Sequence, residues 1–341
     1  MGKKIYKTID LFAGIGGIRL GFERAGFETV YANDFDKYCK VTYDANFENP
    51  KLDNRGIEEV KTDELPQFDL LLGGFPCQAF SIAGYRLGFN DGKGRGNLFL
   101  EIARILSGAK PKPIGFLLEN VKNLESHDNG RTLGIILETL AGLGYHYKYK
   151  VLNTKDYGNV PQNRERIYIV GFSSGELIDN FEFPDPVSLK VKVTDVLDKQ
   201  IDDKYYYNGK PLYEKLKGHV VKHVKVYQWR RRYVRENKNG VFPTLTANMG
   251  MGGHNVPIIL DEHGIRKITP RECARLQGFP DSFVLPADLP DSALYKQMGN
   301  SVSVPVIEAV ARQMQRVLNG EVLAKKSQML LDLTAGLDQR V

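Results

Sequence analysis

The chain alternates short apolar runs with segments whose apolar residues recur at helical spacing. Over the first 172 residues the apolar runs predict strands, and three segments between them predict helices. This alternation is typical of an α/β protein with a doubly wound, mostly parallel sheet. The predicted strands are 6–11, 29–33, 70–73, 114–118, 147–152 and 166–172, and the predicted helices are 17–25, 98–106 and 132–143.

The pattern changes after the proline-rich stretch 183–186, where the sequence becomes polar, basic and irregular. Thr269 and Glu272 then form a capping box, with Pro270 at the first helical position. Together they predict a helix that ends at Gly278. A last amphipathic segment returns to the first unit. We predict one domain of residues 1–187 plus 285–341, a second domain of residues 188–284, and an amphipathic helix at 304–318.

Composition places the chain among folded proteins of two domains, with 341 residues, 42% apolar residues and a net charge of +6. This charge permits nucleic-acid binding without requiring it. No run approaches 18 apolar residues, and the basic start lacks the apolar core of a signal peptide, so we expect a cytoplasmic protein. Cys39, Cys77 and Cys273 lack metal-ligand spacing, and we expect neither a disulfide nor a metal.

A glycine-rich turn near the start is the first candidate binding element. Residues 12–17 follow a predicted strand and open a helix, so small residues there let the backbone approach a ligand. About 20 residues further on, Asp34 ends the second strand, where a carboxylate can accept hydrogen bonds from ribose hydroxyls. The spacing differs from the dinucleotide fingerprint, and a tight turn that merely requires glycine is an alternative explanation.

Two reactive side chains follow apolar runs. Cys77 comes after the run 68–72, and Pro76 fixes the backbone beside it, which is the position of a nucleophile at the carboxyl end of a strand. Glu119 follows the run 116–118 and is a candidate general acid. A buried, inert cysteine and a helix-capping or ion-paired carboxylate are the structural alternatives.

Basic residues form two groups. Arg164 and Arg166 flank Glu165 at the start of a predicted strand, so alternation points both arginines to one side, unless they form a solvated edge. Residues 215–235 carry eight lysines and arginines, interleaved with aromatic residues and without Asp or Glu. That composition favours a surface for DNA over a solvated basic loop.

Six short motifs follow one another in a fixed order, and together they closely resemble the DNA (cytosine-5)-methyltransferases of bacterial restriction–modification systems. The resemblance covers roughly residues 5–320, with a variable gap at about 188–265. The motifs are Asp10–Gly17, Pro76-Cys77-Gln78, Glu119-Asn120-Val121, Gln162–Arg166, Pro270–Arg275 and Gly299–Val302.

The resemblance implies a Rossmann-like fold with a small, irregular, β-rich target-recognition domain. It also implies methyl transfer from S-adenosylmethionine to carbon 5 of a cytosine flipped out of a short, GC-containing duplex site. Within the variable region, the stretch 227–257 resembles that of enzymes that recognise GGNCC-like or GGWCC-like sites. A cognate restriction endonuclease would be a functional partner without a stable complex, and we expect a monomer.

Residue roles follow from the resemblance. Cys77 would attack carbon 6 of the ring, and Glu119 would protonate or hydrogen-bond ring nitrogen 3. Arg166 would contact the exocyclic oxygen, Arg164 a phosphate or the catalytic loop, and Asn120 the ring amino group. Ser81 and the glycine-rich segment 84–96 would belong to that mobile catalytic loop.

The binding residues carried over from the family form two sets. The cofactor set is Phe12, Gly14, Gly16, Gly17, Asp34, Phe35, Ile57, Gly74, Pro76, Leu98, Asn300 and Val302. The DNA set is Gln78, Arg230, Arg231, Arg232, Arg235, Thr244, Leu245, Gly252 and Gly253. One position departs from the family, because Gly56 stands where an acidic residue usually meets the adenine amino group. Asp53 and Asn54 are candidates to replace it.

Two other functions are compatible with these motifs. A transfer-RNA cytosine-5 methyltransferase would share the catalytic residues and differ in its recognition segment. A DNA-binding relative without activity would leave the joint presence of Cys77, Glu119 and Arg166 unexplained.

Overall fold

A computed structural model of the chain describes residues 4–76, 98–223, 225–230, 232–249 and 256–321. Its main sheet has the strand order β2-β1-β3-β4-β7-β5. Strands β1 to β4 are parallel, and β7 is antiparallel to both of its neighbours. The six strands are β1 (Lys7–Leu11), β2 (Glu28–Asn33), β3 (Leu70–Gly74), β4 (Gly115–Val121), β5 (His146–Asn153) and β7 (Glu165–Phe172).

Side-chain alternation along these strands supplies a core on each face of the sheet. On one face, Leu70 and Leu72 of β3 pack with the helices at 17–24 and 304–318. On the other face, Leu71 packs with the helices at 98–108 and 131–142. The helices of the described residues are α1 (Gly17–Arg24), α2 (Lys37–Asn46), α3 (Leu98–Gly108), α4 (Arg131–Gly142), α5 (Thr154–Tyr157), α6 (Gly175–Asn180), α7 (Tyr213–Leu216), α8 (Pro270–Leu276), α9 (Asp291–Asn300) and α10 (Val304–Leu318).

A second, antiparallel sheet lies within the predicted second domain, in the order β12-β11-β8-β9. It has a small core of its own that includes Leu216, Tyr227 and Ile258. A short parallel pair connects this region to the main domain. The strands are β8 (Val226–Trp229), β9 (Val234–Glu236), β11 (Val256–Asp261) and β12 (Gly264–Lys267), and the short pair is β6 (Gln162–Asn163) with β10 (Phe242–Pro243).

The predicted fold class is confirmed, and each predicted strand and helix appears within a few residues of its expected place. The capping box is also present: Thr269 Oγ1 accepts a hydrogen bond from the Glu272 N–H, and the Glu272 carboxylate accepts one from the Thr269 N–H. The apolar pattern did not predict α2, α9 or the short helices α5, α6 and α7. The boundaries at 188 and 284 stay predictions. None of the described helices is long and apolar enough to span a membrane.

Candidate active site

A cavity of about 550 Å³ lies at the edge of the main sheet where the parallel strands β1 to β4 end. Because β7 is antiparallel, its first residues lie at this same edge. Most of the predicted cofactor set lines the cavity: Phe12, Gly14, Gly17, Asp34, Phe35, Gly74, Pro76, Leu98, Asn300 and Val302. Gly16 and Ile57 lie outside the lining. Gly16 faces Phe47, and Ile57 packs in the core beneath the sheet.

The loop after β1 has a backbone that glycine permits and other residues rarely adopt. Gly14 has φ of +55° and Gly16 has φ of +84°, and Phe12 adopts φ of +56° without being glycine. Such a conformation is strained for Phe12 and persists only when its surroundings hold it. A Cβ on Gly17 would lie 2.9 Å from Ser301 Oγ and from Val302 Cγ2. The glycines therefore allow the loop to approach the opposite wall of the cavity.

Asp34 holds this loop in place. Its Oδ2 accepts a hydrogen bond from the Gly14 N–H (2.9 Å), and its Oδ1 accepts one from the Asp36 N–H (2.9 Å). Burial raises the pKa of the Asp34 carboxyl above its ordinary value. Next to it, the Phe35 side chain is 72% exposed and lines the cavity. Asp34 thus has a structural role in addition to the predicted ribose contact.

Neither Asp53 nor Asn54 extends its side chain into the cavity to replace the acidic residue that is absent at position 56. Asp53 is hydrogen-bonded by Tyr31 Oη (2.8 Å) and by Arg55 Nη2 (2.7 Å). Asn54 donates its amide to the Asp34 carbonyl (2.7 Å), and neither side chain lines the cavity. A Cβ at Gly56 would lie 2.7 Å from Glu58 Oε1, so the Glu58 carboxylate occupies the space beside Gly56.

Glu119 and Arg166 form a buried ion pair in the cavity wall. Val121 of β4 is the register partner of Arg166 in β7, which places Glu119 on the same face one diagonal step away. Arg166 Nε lies 3.2 Å from Glu119 Oε1, and this oxygen accepts no hydrogen bond. Burial raises the pKa of the Glu119 carboxyl, and Arg166 and Arg164 offset part of that rise. The carboxyl is thus set up to keep a proton at a higher pH than an ordinary glutamate.

Asn120 acts on the protein backbone. Its Nδ2 donates to the Phe75 carbonyl (2.9 Å), and its Oδ1 accepts a hydrogen bond from the Val121 N–H (2.8 Å). Both polar atoms of this buried amide are therefore engaged. Asn120 therefore fixes the chain just before Pro76, while it also lines the cavity, and its predicted contact with a ring amino group stays a prediction.

Arg164 also bonds to the backbone. Its guanidinium is 2% exposed and donates to the carbonyls of Leu245 (3.1 Å), Gly299 (3.4 Å) and Ser301. Burial lowers the pKa of Arg164 to about 9, so the group stays protonated at neutral pH. These bonds hold Arg164 to the backbone, and the residue also lines the cavity, so its predicted contact with a phosphate or the catalytic loop stays a prediction.

The predicted DNA-binding residues divide by exposure. A tight turn joins β8 and β9, in which the Arg230 N–H donates to the Tyr233 carbonyl (2.9 Å). Arg232 and Arg235 are exposed on this hairpin, and Tyr233 is 56% exposed. Leu245 is buried and its side chain packs in the core, and its predicted role in DNA binding stays a prediction.

Several predicted residues lie outside the described part of the chain. They are Cys77, Gln78, Ser81, Arg231, Gly252 and Gly253, together with the glycine-rich segment 84–96. Their assignments rest on sequence alone. Within the described ranges, no group of His, Cys, Asp and Glu is arranged to hold a metal ion.

Sequence reasoning missed a pair of cavity residues on α9. Lys296 Nζ lies 2.7 Å from Asp36 Oδ2, and Gln297 Nε2 donates to the Tyr38 carbonyl (2.8 Å). Both contacts fix α9 against the start of α2. Lys296 and Gln297 directly precede the motif Gly299–Val302, and this proximity was the only signal for them in the sequence.

A strained glycine-rich loop, a cavity at the carboxyl edge of a doubly wound sheet and a buried Glu–Arg pair define a Rossmann-like cofactor-dependent enzyme. The chain belongs to the family described as C-5 cytosine-specific DNA methylase, whose sequence model matches residues 6–316. It is therefore a DNA cytosine-5 methyltransferase, and this family uses S-adenosylmethionine.

Curated relatives are similar over nearly the whole chain. The Type II methyltransferase M.Bsp6I from Bacillus sp. (strain RFL6) is 53% identical over 312 residues, which are 90% of this chain and 98% of that protein. The Type II methyltransferase M.NgoBI from Neisseria gonorrhoeae is 46% identical over 316 residues, which are 90% of this chain and 92% of that protein.

Solved structures share the fold at lower identity. The Entamoeba histolytica methyltransferase EhMeth superposes with a TM-score of 0.72 at 18% identity, covering 91% of this chain and 98% of that one. The S. pombe Dnmt2 methyltransferase superposes with a TM-score of 0.70 at 22% identity, covering 93% and 99%. These similarities confirm the architecture.

Proposed function

We propose that this enzyme methylates carbon 5 of a flipped-out cytosine within a short, GC-containing duplex site and thereby protects the DNA of its host from a cognate restriction endonuclease. The observation that carries the catalytic part is the buried Glu119–Arg166 pair in the wall of the cavity that the glycine-rich loop also lines. The Type II methyltransferases to which the chain is similar support the biological role.

The cavity fits S-adenosylmethionine, which supplies an electrophilic methyl group when it is bound. Its volume is within the range of small-molecule sites. Phe12, Gly14 and Gly17 would approach the cofactor with backbone atoms, and the exposed ring of Phe35 would stack on the adenine. Asn300 and Val302 would form the opposite wall.

Carbon 5 of cytosine is a weak nucleophile, and the chain has residues that can activate it. In the proposed step, the Cys77 thiolate forms a bond to carbon 6, and the displaced electron pair moves toward carbon 5 and ring nitrogen 3. The protonated Glu119 carboxyl donates to nitrogen 3, and Arg166 donates to the exocyclic oxygen. Carbon 5 would then take the methyl group, and S-adenosylhomocysteine would be the product left behind. Transfer of the carbon 5 proton to water, elimination of the Cys77 thiolate and return of the nitrogen 3 proton to Glu119 would restore the ring.

The DNA side of the proposal rests on exposed charge. The target base lies inside a duplex, and flipping it out costs a few kcal/mol. Arg232 and Arg235 on the β8–β9 hairpin are exposed and free of the enclosure that holds Arg164. Contacts between these arginines and DNA would help to offset that cost. We propose that the enzyme acts as a monomer, in the cytoplasm, without a stable complex with the endonuclease.

The test is methyl transfer to unmethylated duplex DNA and, in parallel, to transfer RNA. We expect transfer to DNA by the wild-type enzyme, and its complete loss in Cys77→Ala with DNA binding retained. Full activity of Cys77→Ala would contradict the mechanism. Transfer to RNA in place of DNA would move the enzyme to the alternative substrate class.

A further inference from the structure

Arg164 joins two parts of the molecule that bind different ligands in the proposed function. One part is the recognition segment, residues 242–247, and the other is the cofactor wall, residues 299–302. The Arg164 guanidinium donates to the Leu245 carbonyl in the first part and to the Gly299 and Ser301 carbonyls in the second. These acceptors are 81 to 137 residues away from Arg164 along the chain.

The two parts also touch directly, backbone against backbone. A Cβ on Gly299 would lie 2.2 Å from the carbonyl carbon of Thr246 and 2.4 Å from the nitrogen of Ala247. Because such distances are too short for any real contact, residue 299 must be glycine for this approach to occur. The recognition segment therefore packs against the cofactor wall with no side chain between the two backbones.

Buried amide side chains reinforce the same connection. Gln162 Oε1 accepts a hydrogen bond from the Leu245 N–H (3.1 Å), and Gln162 Nε2 donates to the Leu276 carbonyl (2.6 Å). Gln277 Nε2 in turn donates to the Met298 carbonyl (2.6 Å). The backbone from 162 to 164 thus lies between the recognition segment and the end of α9, with bonds to the former and, through Arg164, to the latter.

The free energy of the buried Arg164 charge depends on whether both sides are in contact with it. With both sides in place, the guanidinium has carbonyl acceptors on each side. If either side moves away, a buried cation loses acceptors that water does not replace, which is unfavourable. A ligand that orders one side therefore favours the arrangement that the ligand of the other side needs.

We propose that Arg164 is a positioning residue that makes DNA binding at the recognition segment and cofactor binding at residues 299–302 mutually dependent. This inference rests on the proposed function for the identity of the two ligands. Arg164 also lines the cavity, and in this account it acts through the three carbonyls. The coupling is reciprocal, so each ligand tightens the other by the same factor.

The test measures binding, with S-adenosylhomocysteine as the cofactor probe and sheared, unmethylated genomic DNA as the duplex. The dissociation constant of each ligand is determined with and without the other. For the wild-type enzyme we expect tightening of about 5-fold to 150-fold in both directions. In Arg164→Lys, which keeps the charge but not the fork of donors, we expect the factor to fall below about twofold.

A second variant and a control make the result specific. Gln162→Met removes the hydrogen bonds from this side chain to Leu245 and Leu276, keeps Arg164, and should reduce the coupling factor as well; it carries the test if Arg164→Lys does not fold. Arg266→Lys changes an equally buried arginine that contacts neither segment, and should retain wild-type coupling.

Two outcomes would overturn the proposal. One is the absence of coupling in the wild-type enzyme, and the other is a wild-type coupling factor in Arg164→Lys. If S-adenosylhomocysteine binding in that variant were weakened equally with and without DNA, the coupling factor would be unchanged and the substitution would simply have damaged the cavity. Because all of these readouts are equilibrium binding, they are independent of whether wild-type enzyme transfers methyl groups, which tests the proposed function separately.

Discussion

The charged residues of the cavity and those of the β8–β9 hairpin differ in their surroundings. Glu119 is buried, and its pKa is raised because the carboxylate is removed from water. Arg232 and Arg235 are exposed, where salt screens their charges and side chains can adapt to a partner. The comparison separates two tasks: chemistry needs a group of fixed geometry and shifted pKa, and attraction of a duplex needs ordinary, accessible charge.

Of the substitutions that test this difference, replacement of Glu119 should have the largest effect, and the quantity it changes is the methyl-transfer rate. Glu119→Gln removes the proton donor and keeps the shape, so we expect the methyl-transfer rate to fall by about 10²-fold to 10⁴-fold. In the wild-type enzyme the rate should also decline as pH rises through the raised pKa of Glu119, because the donor loses its proton there. This decline should be absent from the pH–rate profile of the variant.

The matched control for this variant is Glu165→Gln. Glu165 begins the same strand as Arg166, and its carboxylate forms an exposed ion pair with Lys122. Exposed pairs contribute little, so its rate should stay near the wild-type value. If both variants lost activity equally, burial of Glu119 would not be the reason for its role.

Arg266 tests whether buried charge in the recognition region has a structural role. Its guanidinium is 1% exposed and is held by Glu272 (2.9 Å) and Asp261 (2.6 Å). Arg266→Met leaves Glu272 buried without its partner, so we expect a loss of about 3–5 kcal/mol in the free energy of unfolding. Urea denaturation measures it. A loss as small as that of Arg312→Met, at an exposed pair with Glu308, would contradict this assignment.

Asp10 is another buried carboxyl, and its burial makes the stability of the protein depend on pH. Burial raises the pKa of Asp10 from 3.8 to about 7, and its Oδ1 has no hydrogen-bond partner. The folded protein therefore keeps a proton that the unfolded chain releases, and stability should fall as pH rises from about 4 to about 7, by at most about 1.4 kcal/mol per pH unit.

Asp10→Asn removes this titration. Urea unfolding measures the free energy of unfolding at pH 5 and at pH 7.5. Relative to the wild-type protein, the variant should be more stable at pH 7.5 than at pH 5. Asp63→Asn, at an exposed acid, serves as the control and should show no such change. An Asp10→Asn difference that is the same at both pH values would show that Asp10 titrates alike in the folded and unfolded states.

The hairpin arginines should give the smallest effects. Arg232→Ala and Arg235→Ala each remove one exposed charge, so each should lower the slope of log affinity against log salt concentration by about 1. Lys7 is exposed at the start of β1, and the cavity lies where this strand ends, so Lys7→Ala should leave the slope unchanged. Wild-type slopes in both arginine variants would place the DNA on another surface.

The sequence predicted the elements whose signal is local. Apolar runs located the strands of the main sheet, and Thr269 with Glu272 marked the start of α8. Contacts between distant parts of the chain had no such signal. The acceptors of Arg164 and the bond from Asn120 to Phe75 depend on how strands and loops meet in three dimensions, and the sequence predicted neither contact.

The recognition region was the least predictable part for the same reason. Its strands are short, and β10 has only two residues, so hydrophobic alternation is too brief to detect. The helix α2 was missed although Asp36 caps its start, because its buried face consists only of Cys39, Thr42 and Tyr43 and gives a weak apolar pattern. Exposure of individual arginines likewise depends on the turn between β8 and β9, which charge composition does not define.

The most direct measurement is bisulfite sequencing of DNA from a bacterial host that lacks cytosine methylation and expresses this enzyme. The account predicts protected cytosines confined to one short sequence, and their loss when Cys77→Ala is expressed instead. This result would give the activity and the recognition site together. The absence of protected cytosines, with folded enzyme that binds S-adenosylhomocysteine, would contradict the assignment of DNA as the substrate.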